Sequence, residues 1–240
     1  MTNEVILIFE ILFIFSSLLI CKKIFGRVGV MTWVPVATIL ANLLTAKNVE
    51  LFGLYTSIGT VWFASTFLAT DILSECYSSK DAKKAVWLGV FANILFIIGS
   101  QITLHYIASP IDYADGYMQG LFALNLRISI SSSVMYILAN LADIYIYNFI
   151  RKKMNGKAMW FRNNISTILT NCLENFGFIT LAFWGIYSPG EIITIAVSTS
   201  IIEALVALCD TPFLYIAKNS KSKEDKQLNN IALINGSGMI

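Results

Sequence analysis

Seven apolar segments, near residues 4–22, 28–46, 53–76, 84–108, 121–149, 163–187 and 191–217, divide the chain. Each approaches or exceeds the roughly 20 residues that a helix needs to cross a bilayer. Backbone N–H and C=O groups must be satisfied internally in hydrocarbon, so such segments fold as helices. The expected fold is therefore all-α, a polytopic integral membrane helix bundle of about seven transmembrane helices. Charge supports the same class: 13% of the 240 residues are charged, against about 25% in an ordinary soluble domain.

The basic residues give an independent reading of the topology. Lys22, Lys23 and Arg27 follow the first segment, Lys80, Lys83 and Lys84 the third, and Arg151, Lys152, Lys153, Lys157 and Arg162 the fifth. Lys218, Lys221, Lys223 and Lys226 follow the seventh. Fifteen of the 17 basic residues thus fall on one side, with Lys47 on the other and Arg127 inside a segment. The excess of Lys and Arg in cytoplasmic loops places the N-terminus outside and the C-terminus in the cytoplasm. These lysines read as topology anchors, so no nucleic-acid partner is expected; the lipid bilayer is. Glu4 stands where a signal peptide would carry basic residues, and the first segment is expected to stay as an anchor.

Polar residues inside the segments carry the functional signal, because an ionisable group in hydrocarbon costs several kcal/mol unless it is paired or hydrated. Asp71 and Glu75 lie four residues apart and share one helix face. Asn140 with Asp143, and Asn171 with Glu174, repeat an amide–carboxylate pair at a spacing of three on two antiparallel segments. Away from the segment ends, Arg127 is the only basic residue, against Glu10, Asp71, Asp143, Glu174, Glu203 and Asp210. It lies 16 residues from Asp143, roughly 24 Å along a helix, too far to neutralise it. Some of the acids must be protonated, hydrated or reserved for a ligand that brings hydrogen-bond donors. The four cysteines, Cys21, Cys76, Cys172 and Cys209, have no metal or disulfide spacing. No catalytic motif, metal site or cofactor loop is present, so neither cofactors nor catalysis are expected.

The stretches "FLATDILSECYSSKDAKKAVWLG", "LRISISSSVMYILANLADIYIYNFIRKK" and "MWFRNNISTILTNCLENFGFITLAFWG" resemble the queuosine precursor transporter family over most of residues 51–217. The markers are T-D-x-x-x-E at Thr70–Glu75, the arginine opening segment five, the acid ending it, and R-N-N-x-S-T from Arg162. Asn140, Glu174 and Glu203 depart from the Gln, Asp and Lys expected there, which bears on substrate choice. The resemblance implies a multi-pass importer of the bacterial inner membrane. Its small-molecule substrates would be 7-deazaguanine bases, such as 7-cyano-7-deazaguanine, 7-aminomethyl-7-deazaguanine or queuine, destined for tRNA modification. The first segment lies outside the matching stretch, which implies an added anchor helix (1–27) before a six-helix core (28–218) open to an inverted 3+3 repeat; the polar, charged and then Asn/Gly/Ser-rich end reads as a disordered cytoplasmic tail (219–240).

A guanine-like edge presents an N–H and an exocyclic amine side by side, which one carboxylate accepts as a bidentate pair. The expected substrate-binding residues are accordingly Asp71, Glu75, Arg127, Asn140, Asp143, Asn171 and Glu174, with Glu75 nearer the cytoplasmic mouth. Two rival readings stay open: a substrate-binding subunit of an energy-coupling vitamin importer, and an intramembrane hydrolase using Asp71 and Asp143. A homo-oligomer also stays open.

Overall fold

A computed structural model describes residues 2–122 and 126–220, with the side chains of 48, 55 and 126–129 excluded. The side chain of Arg127 and the tail beyond residue 220 therefore lie outside the described residues. Helix α1 (Asn3–Leu44) leads into a hairpin of β1 (Asn48–Leu51) and β2 (Leu54–Ser57), followed by α2 (Thr60–Cys76) and α3 (Ser79–Leu104). A short α4 (Asp115–Phe122) precedes α5 (Leu126–Lys153), α6 (Met159–Phe183) and α7 (Pro189–Asn219). The chain is an all-α multi-pass membrane protein. Among the described residues, α1, α3, α5 and α7 are long and apolar enough to cross a membrane.

Helix α1 is two crossings. A straight helix would hold its ends roughly 60 Å apart, yet Asn3 Nδ2 donates to the Glu50 carbonyl at 3.0 Å and the Phe52 amide donates to Glu4 at 3.3 Å. The chain reverses at Gly26, whose φ of 61° and ψ of −140° lie in a region open in practice only to glycine. Gly29 completes the reversal, since a Cβ there would collide with the Cys21 carbonyl and the Phe25 side chain. The two arms are the first and second expected segments.

Several boundaries differ from expectation for identifiable reasons. Residues drawn into the third segment from position 53 belong in part to the hairpin, where Asn48 pairs with Ser57 and Leu51 with Leu54 across a turn at Phe52–Gly53. Both turn residues have positive φ, the geometry that suits two-residue hairpins. Hydropathy averaged over a crossing does not register this period-two alternation. Helices α3 and α6 begin about a turn earlier than their apolar windows: the first turn of α3 is polar, with Ser78 capping the helix by accepting from the Asp81 amide, and the first turn of α6 ends in Arg162, followed by Asn163 and Asn164.

Helix α2, of 17 residues, packs against α1, α3, α5 and α7, and every residue from Ala64 to Ser74 is buried. Its Leu68, Ile72 and Leu73 join Ile11, Ile14, Phe15 and Leu18 of the first arm in one apolar core. The arm is thus packed into the bundle. Lys22 at its end is buried and donates to the carbonyls of Ala217 at 2.7 Å and Ser220 at 2.8 Å, binding the close of α7. Cations at helix C-termini complement both the free carbonyls and the helix dipole.

Candidate functional site

Helix α6 builds one wall of a polar interior. Asn163, Ser166, Thr167, Thr170, Asn171 and Asn175 recur at i, i+3, i+4, i+7, i+8 and i+12, which is one helical face, and all are buried. That is an amphipathic stripe turned inside out, with hydrogen-bonding groups where a soluble helix would set its apolar face. Leu169, Leu173 and Phe176 occupy the exposed positions between them. Helix α5 opposes it with Tyr136, Asn140, Asp143 and Tyr147, at steps of four, three and four, and all buried.

Three carboxylates meet this stripe from three other helices. Asp71 of α2, Asp143 of α5 and Asp210 of α7 have no solvent exposure, and Asp71 lies within electrostatic reach of both others. Helix α6 supplies donors: Thr167 Oγ1 to Asp143 Oδ1 at 3.4 Å, and Asn163 Nδ2 to Asp210 Oδ1 at 2.6 Å. Much acceptor capacity stays unused. Among the described residues, both oxygens of Asp71, Oδ2 of Asp143, Oδ2 of Asp210 and Oδ1 of Asn171 make no hydrogen bond. A buried acceptor left unsatisfied costs about 1–3 kcal/mol, more if charged. Four such groups facing one interior are arranged for something that donates.

The other expected site residues are distributed around this centre. Asn140 is buried beside it, donating to the Tyr136 carbonyl at 3.0 Å and accepting from Thr66 Oγ1 at 3.5 Å. Glu174 lies two turns beyond Thr167 on α6, within electrostatic reach of Glu203, and its Oε2 is buried without a partner among the described residues. Glu203 itself accepts from Asn175 Nδ2 at 2.6 Å. Asp71, Asp143 and Asn140 are therefore close companions, while Glu174 belongs to a second acidic pair farther along the bundle.

Glu75, one turn beyond Asp71, is fully engaged by protein groups. Arg162 Nη2 donates to its Oε2, Lys218 Nζ lies 2.6 Å from Oε1, the Tyr147 hydroxyl donates at 3.1 Å, and Arg151 Nε stands 3.6 Å away. Its side chain is 2% exposed. Four helix ends are joined through this one carboxylate. Arg162, which reads from sequence as a topology anchor, is completely buried, with its guanidinium stacked over the Tyr147 ring at 5.1 Å. It also donates from Nη1 to the Gly156 carbonyl at 2.8 Å, while Nε has no partner among the described residues.

Asp210, Asn163 and Arg162 are the interior groups that the expected set lacks. Asp210 stands in the sequence among the intramembrane acids, and for Asn163 and Arg162 the signal was the recurrence of polar residues on one face of α6, which reaches back to Arg162. Among the described residues, no group of three His, Cys, Asp or Glu side chains is placed to hold a metal ion. Away from the acids, a cavity of about 440 Å³ opens between the first arm of α1, the hairpin and α7, lined by Glu10, Lys47, Thr56, Thr60 and Ile202.

Residues 57–217 match the family described as "Putative vitamin uptake transporter". The chain is 32% identical over 227 residues to the "Probable queuosine precursor transporter" of Bacillus subtilis (strain 168), covering 94% of this chain and 99% of that protein. It is 27% identical over 150 residues to the "Queuosine precursor transporter" of Escherichia coli (strain K12), covering 60% of this chain and 62% of the relative. A "Probable queuosine precursor transporter" of Haemophilus influenzae is 24% identical over 144 residues, 58% of this chain and 56% of its own. No solved structure matches the chain.

Proposed function

The chain belongs to the vitamin uptake transporter family that includes the queuosine precursor transporters, and on that premise we propose that it imports queuosine precursors across the membrane. The substrates are 7-deazaguanine bases such as 7-cyano-7-deazaguanine, 7-aminomethyl-7-deazaguanine or queuine, and the chain moves them without chemical change. The observation that carries this reading is the set of unused acceptors on Asp71, Asp143, Asp210 and Asn171 inside the bundle. A planar base with an N–H and an amine on one edge offers the complementary donors, and a carboxylate accepts them in the charge-assisted bidentate form. Asn140 and Asn171 carry amide donors for the ring carbonyl, as does Arg127 on sequence grounds.

The end of the bundle with Lys22, Arg151, Arg162 and Lys218 faces the cytoplasm, and the hairpin with Lys47 faces outward. This orientation makes the 440 Å³ cavity an outward vestibule and the Glu75 cluster the inward closure. The transporting unit includes both arms of α1, since the first arm shares the core of α2. Uptake of radiolabelled 7-cyano-7-deazaguanine into vesicles holding only the purified chain tests the proposal, with guanine, the aminomethyl base and queuine as competitors. Saturable uptake inhibited by the deazaguanines is the expected result, and guanine, which shares the N–H and amine edge, reports how much of the affinity that edge alone supplies. Uptake that needs an added ATPase would instead indicate a subunit of an energy-coupling importer, and loss of the deazaguanine side group would indicate catalysis.

A further inference from the structure

Two buried groups on different helices, Arg162 of α6 and Asp71 of α2, are each incomplete in complementary senses. Arg162 keeps a donor, Nε, without a partner, and Asp71 keeps two acceptor oxygens without one, among the described residues. Both side chains are wholly buried and lie within electrostatic reach of each other. In this conformation Arg162 is held away from Asp71 by Glu75, which stands one turn farther along α2, and by the Gly156 carbonyl. Glu75 also receives Lys218 from α7, Arg151 from the end of α5 and the Tyr147 hydroxyl. The ends of α2, α5, α6 and α7 can separate only if these bonds break.

We infer that Arg162 is the moving ion of the inward gate: it holds Glu75 while the bundle is shut, and turns to Asp71 when the four helix ends part. The first half of this inference rests on the Glu75 bonds alone. The second, in which Arg162 takes the acceptor that the ligand edge occupied and so drives release, rests on the ligand reading of Asp71 given above. A guanidinium satisfies a carboxylate through the same paired N–H geometry that a guanine-like edge uses, so the two compete for one acceptor. The gate then opens without leaving either Arg162 or Asp71 as an isolated buried charge, a state that removing one partner makes strongly unfavourable.

The test needs no ligand. Thr170, buried on α6 beside Asp143 with its hydroxyl donating to the Ser166 and Thr167 carbonyls at 2.9 and 3.2 Å, becomes a reporter as Thr170→Cys, in a chain whose Cys21, Cys76, Cys172 and Cys209 are replaced by alanine. Labelling by a membrane-impermeant maleimide is followed in inside-out and right-side-out vesicles. Glu75→Gln removes charge-assisted bonds from the shut state and should raise labelling from the cytoplasmic side about tenfold or more, with no rise from the outside. Adding Asp71→Asn withdraws the partner of the open state and should bring cytoplasmic labelling back down about fivefold or more. If Glu75→Gln reduces membrane abundance, Lys218→Gln and Arg151→Gln, at half-exposed positions, supply milder openings of the same sign. Labelling that rises equally from both sides means that Glu75 only braces the fold, and overturns the inference. So does a cytoplasmic rise that Asp71→Asn leaves unchanged. Loss of deazaguanine uptake bears separately on the substrate and does not alter these accessibility outcomes.

Discussion

Asp71→Asn should weaken ligand binding and at the same time leave the protein as stable as before, or more so. The side chain is fully buried, makes no hydrogen bond among the described residues, and sits within reach of two further aspartates. Its carboxylate therefore contributes little to the fold that an isosteric amide would lose. Replacing poorly paired buried ionic groups commonly leaves stability unchanged or raises it by about 1–4 kcal/mol. For a chain of this size each kcal/mol moves Tm by about 2–4 °C. Binding should move the other way, because an amide presents an NH2 where the ligand edge needs an acceptor. Loss of one charge-assisted bond is about 1.5–3 kcal/mol, or roughly 10- to 150-fold in Kd. Both quantities can be read on one detergent-purified sample, by scintillation proximity with labelled 7-cyano-7-deazaguanine and by melting followed through tryptophan fluorescence. An Asn variant that binds normally but melts several degrees lower would show that Asp71 is a structural acid.

Asp143→Asn and Glu174→Gln should each lower uptake severely while membrane abundance is retained, checked by transport in vesicles against immunoblotting of the membrane fraction; normal uptake in both would remove these acids from the site. Gly26→Ala forces a non-glycine residue to φ 61° and ψ −140° and should cost about 1–3 kcal/mol, read as a lower melting temperature with unchanged Kd in the protein that remains. Arg127→Lys keeps a charge but not the planar fork, so uptake should fall while insertion survives. If Arg127→Lys is silent and Arg127→Ala loses protein from the membrane, Arg127 serves folding.

The architecture was largely legible because each crossing is a long apolar run. The reversal at Gly26 could be read from basic residues between two such runs, although the helix continues through it in hydrogen-bonding pattern. The hairpin at 48–57 was hidden, since its alternation is too short to compete with the apolar average around it. Asp71 and Asp143 were legible because a costly charge in hydrocarbon announces itself by position alone, and Asn140 by its spacing of three from Asp143. Glu75 illustrates what spacing leaves open: four residues on a helix fix the face but not which neighbouring helices approach it. Arg162 was read as an anchor because hydropathy began the sixth crossing after it. The polar period of three and four residues through Asn163, Ser166, Thr167 and Thr170 extends the helix back to that arginine, and periodicity of polar residues was the signal that average hydropathy discards.

The lysine that ends the first arm has a consequence for how the protein is made. Lys22 finds its acceptors at Ala217 and Ser220, 195 and 198 residues later in the chain. At about 5–20 residues per second of synthesis, roughly 10 to 40 s pass before those carbonyls exist. Throughout that interval the ammonium group must stay at the lipid–water boundary, where a long side chain can keep its charge hydrated. The seal between α1 and α7 is accordingly the last joint of assembly, closed after all crossings have been inserted. A chain arrested before its seventh crossing would display an unpaired lysine and the apolar flank of its first arm, the marks by which membrane quality control can tell an unfinished protein from a finished one.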